Sequence, residues 1–428
     1  MSRDSQHAQG PSGETYTPMH ARPRRRRRRV LAAVAGVVTG VLVLTAVFVV
    51  YQYNDLSNGI HRSSITLPAG SASANAPGQL AATNILVMGL DSRLDENGNP
   101  LPASVYNALH AGSGADGGYN TNVLMLIHIP GGGKPAVGIS IPRDDYVSIP
   151  GSPDGVSMTK IKEAYGLDLD QTLRHLVNAT QLSHAVAYQQ ARSAARQEEI
   201  TTVSQFLGGV PINHFVEVTM AAFYQIAEAV QPITVCVKEA TSDPYSGANF
   251  AAGVQQLNAS QAVAFVRQRR DLNNPALNFT DLDRERRQQA FIVSLAYKLK
   301  QSGTFTNIGT LETLIGVAKQ NIALDSGFDL LSFLQQARGL AGGNISFTTL
   351  PITGYATIGG QDVNTVNLSQ IHAEVSQLLN PPATPKKSKS HSSDSATSTE
   401  TPTTPTTPTS NASPTMAPIE SGSIPCVK

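Results

Sequence analysis

The length, composition and charge of the chain limit what kind of protein it can be. It has 428 residues, 40% of them hydrophobic and 15% charged, which is enough apolar material for one large domain or two small ones. The net charge of +1 hides an asymmetry, because residues 80–380 contain 19 Lys and Arg against 25 Asp and Glu. Domains that bind nucleic acids are usually basic, since their affinity comes from neutralising many phosphates. A nucleic-acid partner is therefore not expected.

One apolar segment sets the predicted compartment. Val30 to Tyr51 are 22 residues without a charged side chain, and a helix of that length crosses a hydrocarbon core of about 30 Å. The arginine run Arg24–Arg29 precedes it directly and should remain in the cytoplasm. We therefore predict a cytoplasmic tail at 1–29, a transmembrane helix at 30–51 and a single-pass protein of the cell membrane with its domain outside. A cleaved signal peptide is the alternative, although its apolar region would be shorter.

The rest of the chain divides by composition. Residues 52–80 read as a linker, and residues 381–428 are a Pro/Thr/Ser-rich tail that we expect to be disordered, because it has little to bury. The intervening residues 81–380 are predicted to form one extracytoplasmic domain. The two cysteines, Cys236 and Cys426, allow either one disulfide or two unpaired thiols.

Apolar runs and helical patterns alternate within the predicted domain. Asn84–Asp91, Asn122–Ile129 and Ala136–Pro142 are nearly continuous apolar runs, typical of central strands covered on both faces. This alternation predicts an α/β fold, a three-layer α/β/α sandwich around a mostly mixed sheet. Further strands are predicted at 214–219 and 233–237, and helices at 217–230, 258–266 and 281–300.

Two of the predicted strands are followed by an arginine and an aspartate. Asp91 and Arg93 follow the first strand, while Arg143 and Asp144 follow the third. In open α/β sheets the ligand crevice lies beyond the carboxyl ends of the strands. A solvated loop is the simpler explanation for either segment alone, but the two together favour a site.

Six arginines lie within positions 267–287. If residues 266–269 are extended, Arg267 and Arg269 point to the same face. In the helix predicted at 281–300, Arg284, Arg287 and Gln288 continue the apolar stripe toward the N-terminal end. Inward arginines need anionic partners, because an unpaired buried charge costs several kcal/mol.

Two kinds of partner are open for this arginine cluster. Acidic neighbours, among them Asp281 and Glu285, can form internal salt bridges. Guanidinium groups also bind phosphate oxygens bidentately, and a helix N-terminus adds a partial positive charge. The pattern slightly favours a diphosphate ligand over internal pairing.

Five motifs in sequence order resemble those of the LytR-CpsA-Psr family of bacterial cell-wall enzymes. They are NILVMGLDSR, VGISIPRDDYVSIP, KIKEAY, FVRQRR and DLDRERRQQAFI. The resemblance covers residues 83 to 300 and extends toward 352. It implies an α/β/α fold that holds a polyprenyl-diphosphate lipid, and a phosphotransferase that moves a glycopolymer from that lipid to peptidoglycan.

The resemblance also implies roles for individual residues. Asp91 matches a catalytic residue that positions Mg²⁺ (or Mn²⁺), with Arg93 and Arg143 beside it. One motif departs from the family pattern, because Asn120 and Asn122 stand where an arginine and a second acidic metal neighbour are common. Asn122 is thereby left as a weaker, uncharged metal ligand. The residues implied to bind the diphosphate are Arg93, Arg143, Arg267, Arg269, Arg284, Arg287 and Gln288.

The expected reaction is the attack of a peptidoglycan hydroxyl, the muramic acid 6-hydroxyl as in the family, on the lipid-linked diphosphate. Three alternatives remain. The protein could be a module that binds polyprenyl diphosphate without catalysis, or a pyrophosphatase that uses water as acceptor. The third, a regulator acting through residues 1–29, ranks last because that tail is too short for a DNA-reading domain.

Overall fold

The structure, a computed structural model, describes part of the chain. The described residues are 50–68, 82–112, 118–131, 134–179, 181–301, 307–329, 333, 345–381 and 417–428. By its internal contacts the chain divides into two compact units, residues 1–55 and 56–428. In the first unit residues 50–55 are described, and they are helical. The predicted transmembrane helix at 30–51 lies outside the described residues except for its last two, and none of the described helices combines the length and apolarity needed to span a bilayer.

The second unit contains short strands and longer helices. The strands are β1 (His61–Ser63), β2 (Thr83–Leu90), β3 (Thr121–Ile129), β4 (Ala136–Ser140), β5 (Tyr146–Ser148), β6 (Met158–Lys160), β7 (His214–Thr219), β8 (Ile233–Val237), β9 (Thr241–Asp243), β10 (Ala248–Phe250), β11 (Gly253–Leu257), β12 (Ile322–Asp325), β13 (Ile345–Thr349), β14 (Gly354–Ile358), β15 (Gln361–Thr365), β16 (Ile419–Glu420) and β17 (Cys426–Val427). The helices are α1 (Ala103–Leu109), α2 (Glu163–Ala179), α3 (His184–Phe206), α4 (Met220–Val230), α5 (Ala259–Arg267), α6 (Asp281–Gln301), α7 (Ile308–Asn321) and α8 (Leu368–Leu379).

The main sheet has eight strands in the order β1-β12-β7-β2-β3-β4-β13-β16. Its pairings are of both kinds: β7 runs parallel to β2 and β13 parallel to β4, whereas β3 is antiparallel to both of its neighbours. The predicted α/β fold with a mixed central sheet is thus confirmed. The apolar runs predicted as strands became β2, β3 and β4, the strands at its centre.

Both faces of this sheet are covered, which explains why the central strands are apolar throughout. Alternate residues of a strand point to opposite faces. Leu126 of β3 packs into a cluster with Ile200 of α3, while its neighbour Met125 packs into a second cluster with Phe265 of α5 and Phe291 of α6. Burying two such layers supplies most of the favourable free energy of folding, since apolar burial contributes about 25 cal/mol per Å².

Helices α4 and α5 begin where the sequence provides a capping residue. The side chain of Thr219 accepts from the backbone N–H of Ala222 at the start of α4. At the start of α5, Asn258 and Gln261 form a reciprocal capping box. Such caps satisfy N–H groups that have no partner inside the helix, and each stabilises it by roughly 1 kcal/mol.

Parts of the predicted linker and of the predicted disordered tail belong to the fold. Within the predicted linker 52–80, residues 61–63 form β1, which pairs in parallel with β12. Within the predicted disordered tail 381–428, residues 417–428 contribute β16 and β17, and a disulfide joins Cys426 to Cys236 of β8. The prediction of disorder is therefore wrong for residues 417–428, because their order comes from strand pairing and a covalent link rather than from local composition.

Candidate functional site

The two loops with an arginine and an aspartate meet at one edge of the sheet. Strands β2 and β4 both run antiparallel to β3, so their carboxyl ends lie at the same edge. Asp91 and Arg93 follow β2, and Arg143 follows β4. The expected juxtaposition of these loops is thus present.

A buried network of two glutamates and two arginines fixes the loop that carries Asp91. Glu96 of this loop pairs with Arg192 (Oε2 to Nη2, 2.6 Å) and with Arg196 of α3. Both arginines also pair with Glu217 of β7. The four side chains are at most 2% exposed. The network ties the loop to the sheet and to α3, and the sequence alone did not reveal it.

Asp91, Arg93 and Arg267 form the first part of the site. Nη1 of Arg93 lies 4.0 Å from Oδ1 of Asp91, and its Nε donates to the carbonyl oxygen of Ala111 at 2.5 Å. Burial lowers the pKa of Arg267, an effect that the nearby Asp91 carboxylate opposes. The extended conformation considered for residues 266–269 is wrong, because Arg267 is the last residue of α5 and donates to the carbonyl oxygen of Leu109.

Arg143, Arg269 and Arg284 form the second part, around the carboxylate of Asp281. Nε and Nη2 of Arg143 each lie 3.2 Å from one Asp281 oxygen. Nε of Arg269 lies 3.2 Å from Oδ1, and Nη2 of Arg284 lies 2.8 Å from Oδ2. Three guanidinium groups thus converge on one carboxylate at the first turn of α6, where the helix adds its own partial positive charge.

The electrostatics of this second part favour a further anion. Arg284 is 4% exposed, and its Nε has no hydrogen-bond partner within the described residues. Burial, and then the charge of Arg143, lowers its pKa to about 10. A buried guanidinium with an unused donor and a like charge beside it is stabilised by any anion that approaches.

Lysines from the KIKEAY motif extend the positive charge. Nζ of Lys162 lies 2.6 Å from Oδ1 of Asp144, and Nζ of Lys160 lies 3.8 Å from the same atom. Nε of Arg143 lies 3.5 Å from the other oxygen of Asp144. Asp144 therefore links Arg143 to two lysines that the sequence analysis had not placed in the site.

The structure does not bring Arg287 to this site. Its Nε donates to the main-chain oxygen of Lys428 at 2.6 Å, and its Nη1 donates to Oε1 of Gln268 at 2.7 Å. Its guanidinium also lies 4.8 Å from the ring centroid of Phe265. The diphosphate role predicted for Arg287 is corrected to a structural one, since its Nε holds the C-terminal segment and its Nη1 holds Gln268. Gln288 stays near the first part, with its Nε2 3.4 Å from the carbonyl oxygen of Val266 on α5.

Two buried carboxyl groups lie behind the arginines. Glu285 is 4% exposed, and neither of its carboxyl oxygens has a hydrogen-bond partner in the described part of the chain. Burial, and then the Asp281 carboxylate, raises its pKa to about 8. Burial likewise raises the pKa of Asp145, which accepts from Nδ2 of Asn364 at 3.0 Å. Through this bond the β14–β15 hairpin supports the loop of Arg143.

The residues predicted to hold a divalent cation fit it in part. The Asp91 carboxylate is 30% exposed at the site, and Mg²⁺ is commonly bound by one or two carboxylates together with substrate phosphates. The amide oxygen of Asn122, in contrast, accepts from Nη1 of Arg143 at 2.5 Å. Across the described ranges no group of three or more His, Cys, Asp or Glu could hold a metal by itself. Asp91 suits the ion, and the metal role of Asn122 stays a prediction.

The sequence model of the LytR_cpsA_psr family matches residues 50–378. The chain is 34% identical over 341 residues to the cell wall biosynthesis protein LcpA of Corynebacterium glutamicum, covering 79% of this chain and 64% of that protein. It thus spans less than two thirds of the length of that relative.

The chain is also similar to more distant proteins. The chain is 26% identical over 295 residues to the polyisoprenyl-teichoic acid–peptidoglycan teichoic acid transferase TagU of Oceanobacillus iheyensis, covering 67% of this chain and 74% of that one. Among solved structures, TagT of B. subtilis aligns with a TM-score of 0.48 and 17% identity, covering 75% of this chain and 98% of that chain.

Proposed function

Because the chain belongs to the LytR_cpsA_psr family, we propose that it is a phosphotransferase that moves a glycopolymer from a polyprenyl-diphosphate lipid to peptidoglycan. The observation that carries the proposal is the convergence of Arg143, Arg269 and Arg284 on Asp281, at the edge of the sheet where the loop of Asp91 and Arg93 also lies. The printed names of the relatives, a cell wall biosynthesis protein and a teichoic acid transferase, support the same class of reaction.

The arginines supply what phosphoryl transfer requires. The transition state carries negative charge on the phosphoryl oxygens, and catalysis depends mostly on positioning and charge stabilisation. Arg143 and Arg284 are almost buried, with side chains 5% and 4% exposed, whereas Arg269 is 49% exposed. Buried guanidinium groups interact strongly with phosphate because little water screens them. Arg269, the most exposed of the three, is the first of them that an incoming head group would meet.

In the proposed reaction a peptidoglycan hydroxyl, expected to be the muramic acid 6-hydroxyl, attacks the phosphorus next to the sugar. The bond from that phosphorus to the bridging oxygen breaks, the attacking hydroxyl gives up its proton to solvent, and polyprenyl phosphate leaves. The arginines hold both phosphates in line, and no covalent intermediate with the protein is needed. Asp91 would hold Mg²⁺, which when bound neutralises charge developing on the transferred group. The segment 30–51 would anchor the domain at the outer face of the cell membrane.

A transfer assay tests this function directly. The full-length chain in detergent is incubated with a short-chain prenyl-diphosphate-linked glycan, peptidoglycan oligomers and Mg²⁺. Mass spectrometry then follows prenyl monophosphate and the glycan–peptidoglycan phosphodiester. Asp91→Ala and Arg269→Ala should abolish the ligated product. Arg270→Ala is the matched control, because its guanidinium lies over the ring of Tyr245 at 4.4 Å instead of at Asp281.

The outcomes separate the alternatives. Prenyl monophosphate without ligated product would indicate a pyrophosphatase. Binding of the lipid without either product, unaffected by Asp91→Ala, would indicate a binding module. Equal loss of product in the Arg269 and Arg270 variants would refute the placement of the diphosphate.

A further inference from the structure

Asp281 contacts the same guanidinium groups that the proposed substrate needs. Its two carboxylate oxygens lie 2.8–3.2 Å from nitrogens of Arg143, Arg269 and Arg284. The contact with Arg143 is a fork, in which Nε and Nη2 each meet a different oxygen. Arginine binds two phosphate oxygens with this same fork. The carboxylate therefore takes up donors that a phosphate group would use.

The site holds more positive charge than Asp281 can neutralise. Each of the three guanidinium groups carries one positive charge and five N–H donors, whereas the one carboxylate offers one negative charge and about four acceptor sites. The Nε of Arg284, which has no partner in the part of the chain that the structure describes, is one donor left over. Asp144 lies 3.5 Å from Nε of Arg143 but is also engaged by Lys162. The cluster is thus stabilised by Asp281 but not saturated.

We propose that the Asp281 carboxylate competes with the diphosphate for Arg143, Arg269 and Arg284. This inference rests on the proposed function, because it takes these arginines to be the diphosphate ligands. Binding of the substrate displaces the carboxylate from one or more of the guanidinium groups. Departure of the product allows it to return.

The position of Asp281 suits such an exchange. It is the first residue of α6, where the helix dipole stabilises a carboxylate even after its arginine contacts are lost. Its side chain is 20% exposed, so it can turn toward water without breaking the fold. While it pairs with Arg284 it spares that buried arginine the cost of an unpaired charge. The same contact weakens binding of both substrate and product, and so favours release.

Binding of inorganic pyrophosphate to the full-length chain tests the competition. Calorimetry compares wild type with Asp281→Asn, which keeps the shape of the side chain and removes its charge. We expect the variant to bind pyrophosphate roughly tenfold more tightly, because pyrophosphate no longer displaces a charge-assisted contact between Asp281 and the arginines. In the transfer assay the same variant should show a lower KM without a higher kcat, since product release is slowed.

Asp283→Asn is the matched control. It removes one negative charge from the same turn of α6, but the Asp283 carboxylate accepts from Thr280 and contacts Lys428 instead of Arg143, Arg269 or Arg284. Its pyrophosphate affinity should stay at the wild-type value. Thermal melts verify that each variant is folded, and Asp281→Ser, which also suits a helix start, repeats the measurement if Asp281→Asn is not.

Each result decides the question. Equal or weaker binding by a folded Asp281 variant overturns the proposal and makes Asp281 a residue that positions the arginines. Equal tightening by the Asp281 and Asp283 variants also overturns it, since the effect would then be one of general charge. If the wild type binds no pyrophosphate and Arg284→Met changes nothing, the proposed function fails and the inference falls with it.

Discussion

Replacing Glu96 by glutamine should destabilise the domain strongly, although the two side chains have the same shape. Glu96 pairs with Arg192 at 2.6 Å and also with Arg196, in a network whose side chains are at most 2% exposed. At pH 8, above the pKa of about 7 to which burial raises the Glu96 carboxyl, two glutamates and two arginines balance each other there. The variant leaves one uncompensated positive charge with no access to water, and breaking a buried ion pair in this way costs about 3–5 kcal/mol.

Urea unfolding and thermal melts of the full-length chain measure this cost. At about 2–4 °C per kcal/mol, the melting temperature should fall by roughly 10 °C. Asp170→Asn is the control, because the ion pair of Asp170 with Arg174 joins the same chemical groups at the surface, where both side chains are more than half exposed. It should leave the melting temperature unchanged. A similar small effect from both variants would refute the reasoning that burial makes the Glu96 network important.

Three further outcomes follow from the site and the disulfide. Arg284→Met should weaken pyrophosphate binding about tenfold or more by calorimetry, whereas Arg287→Met should leave it unchanged, and the reverse would show that the two roles were exchanged. Replacing both Cys236 and Cys426 by serine should lower the free energy of unfolding by about 2–5 kcal/mol in urea titrations. The reason is that the disulfide closes a loop with a sequence separation of 190. An unchanged free energy of unfolding would contradict this. Burial and Asp281 raise the pKa of Glu285 from its ordinary value of 4.5 to about 8. The wild type therefore loses stability as the pH rises from 4.5 to 8, because the unfolded state ionises in this range whereas the folded state resists ionisation. Glu285→Gln should therefore melt higher than wild type at pH 8 and lose this advantage toward pH 5.

Local sequence patterns were sufficient to predict the central elements. Continuous apolar runs marked β2, β3 and β4, because strands covered on both faces bury every side chain. The helical pattern predicted at 258–266 located α5 to within one residue. The arginine and aspartate that follow β2 and β4 indicated the edge where the candidate site lies, since strands in the same direction place their ends together. These features depend on neighbours in sequence or on general geometry.

The tertiary structure alone decided which polar groups meet. Arg284 and Arg287 are three residues apart on one helix, so periodicity gives them the same face, yet one meets Asp281 and the other meets Lys428. The difference arises because residues 417–428 return to α6, and their order depends on pairing with β8 and β13 and on the bond to Cys236. Such contacts join residues far apart in the chain, and no local pattern of composition or spacing contains them.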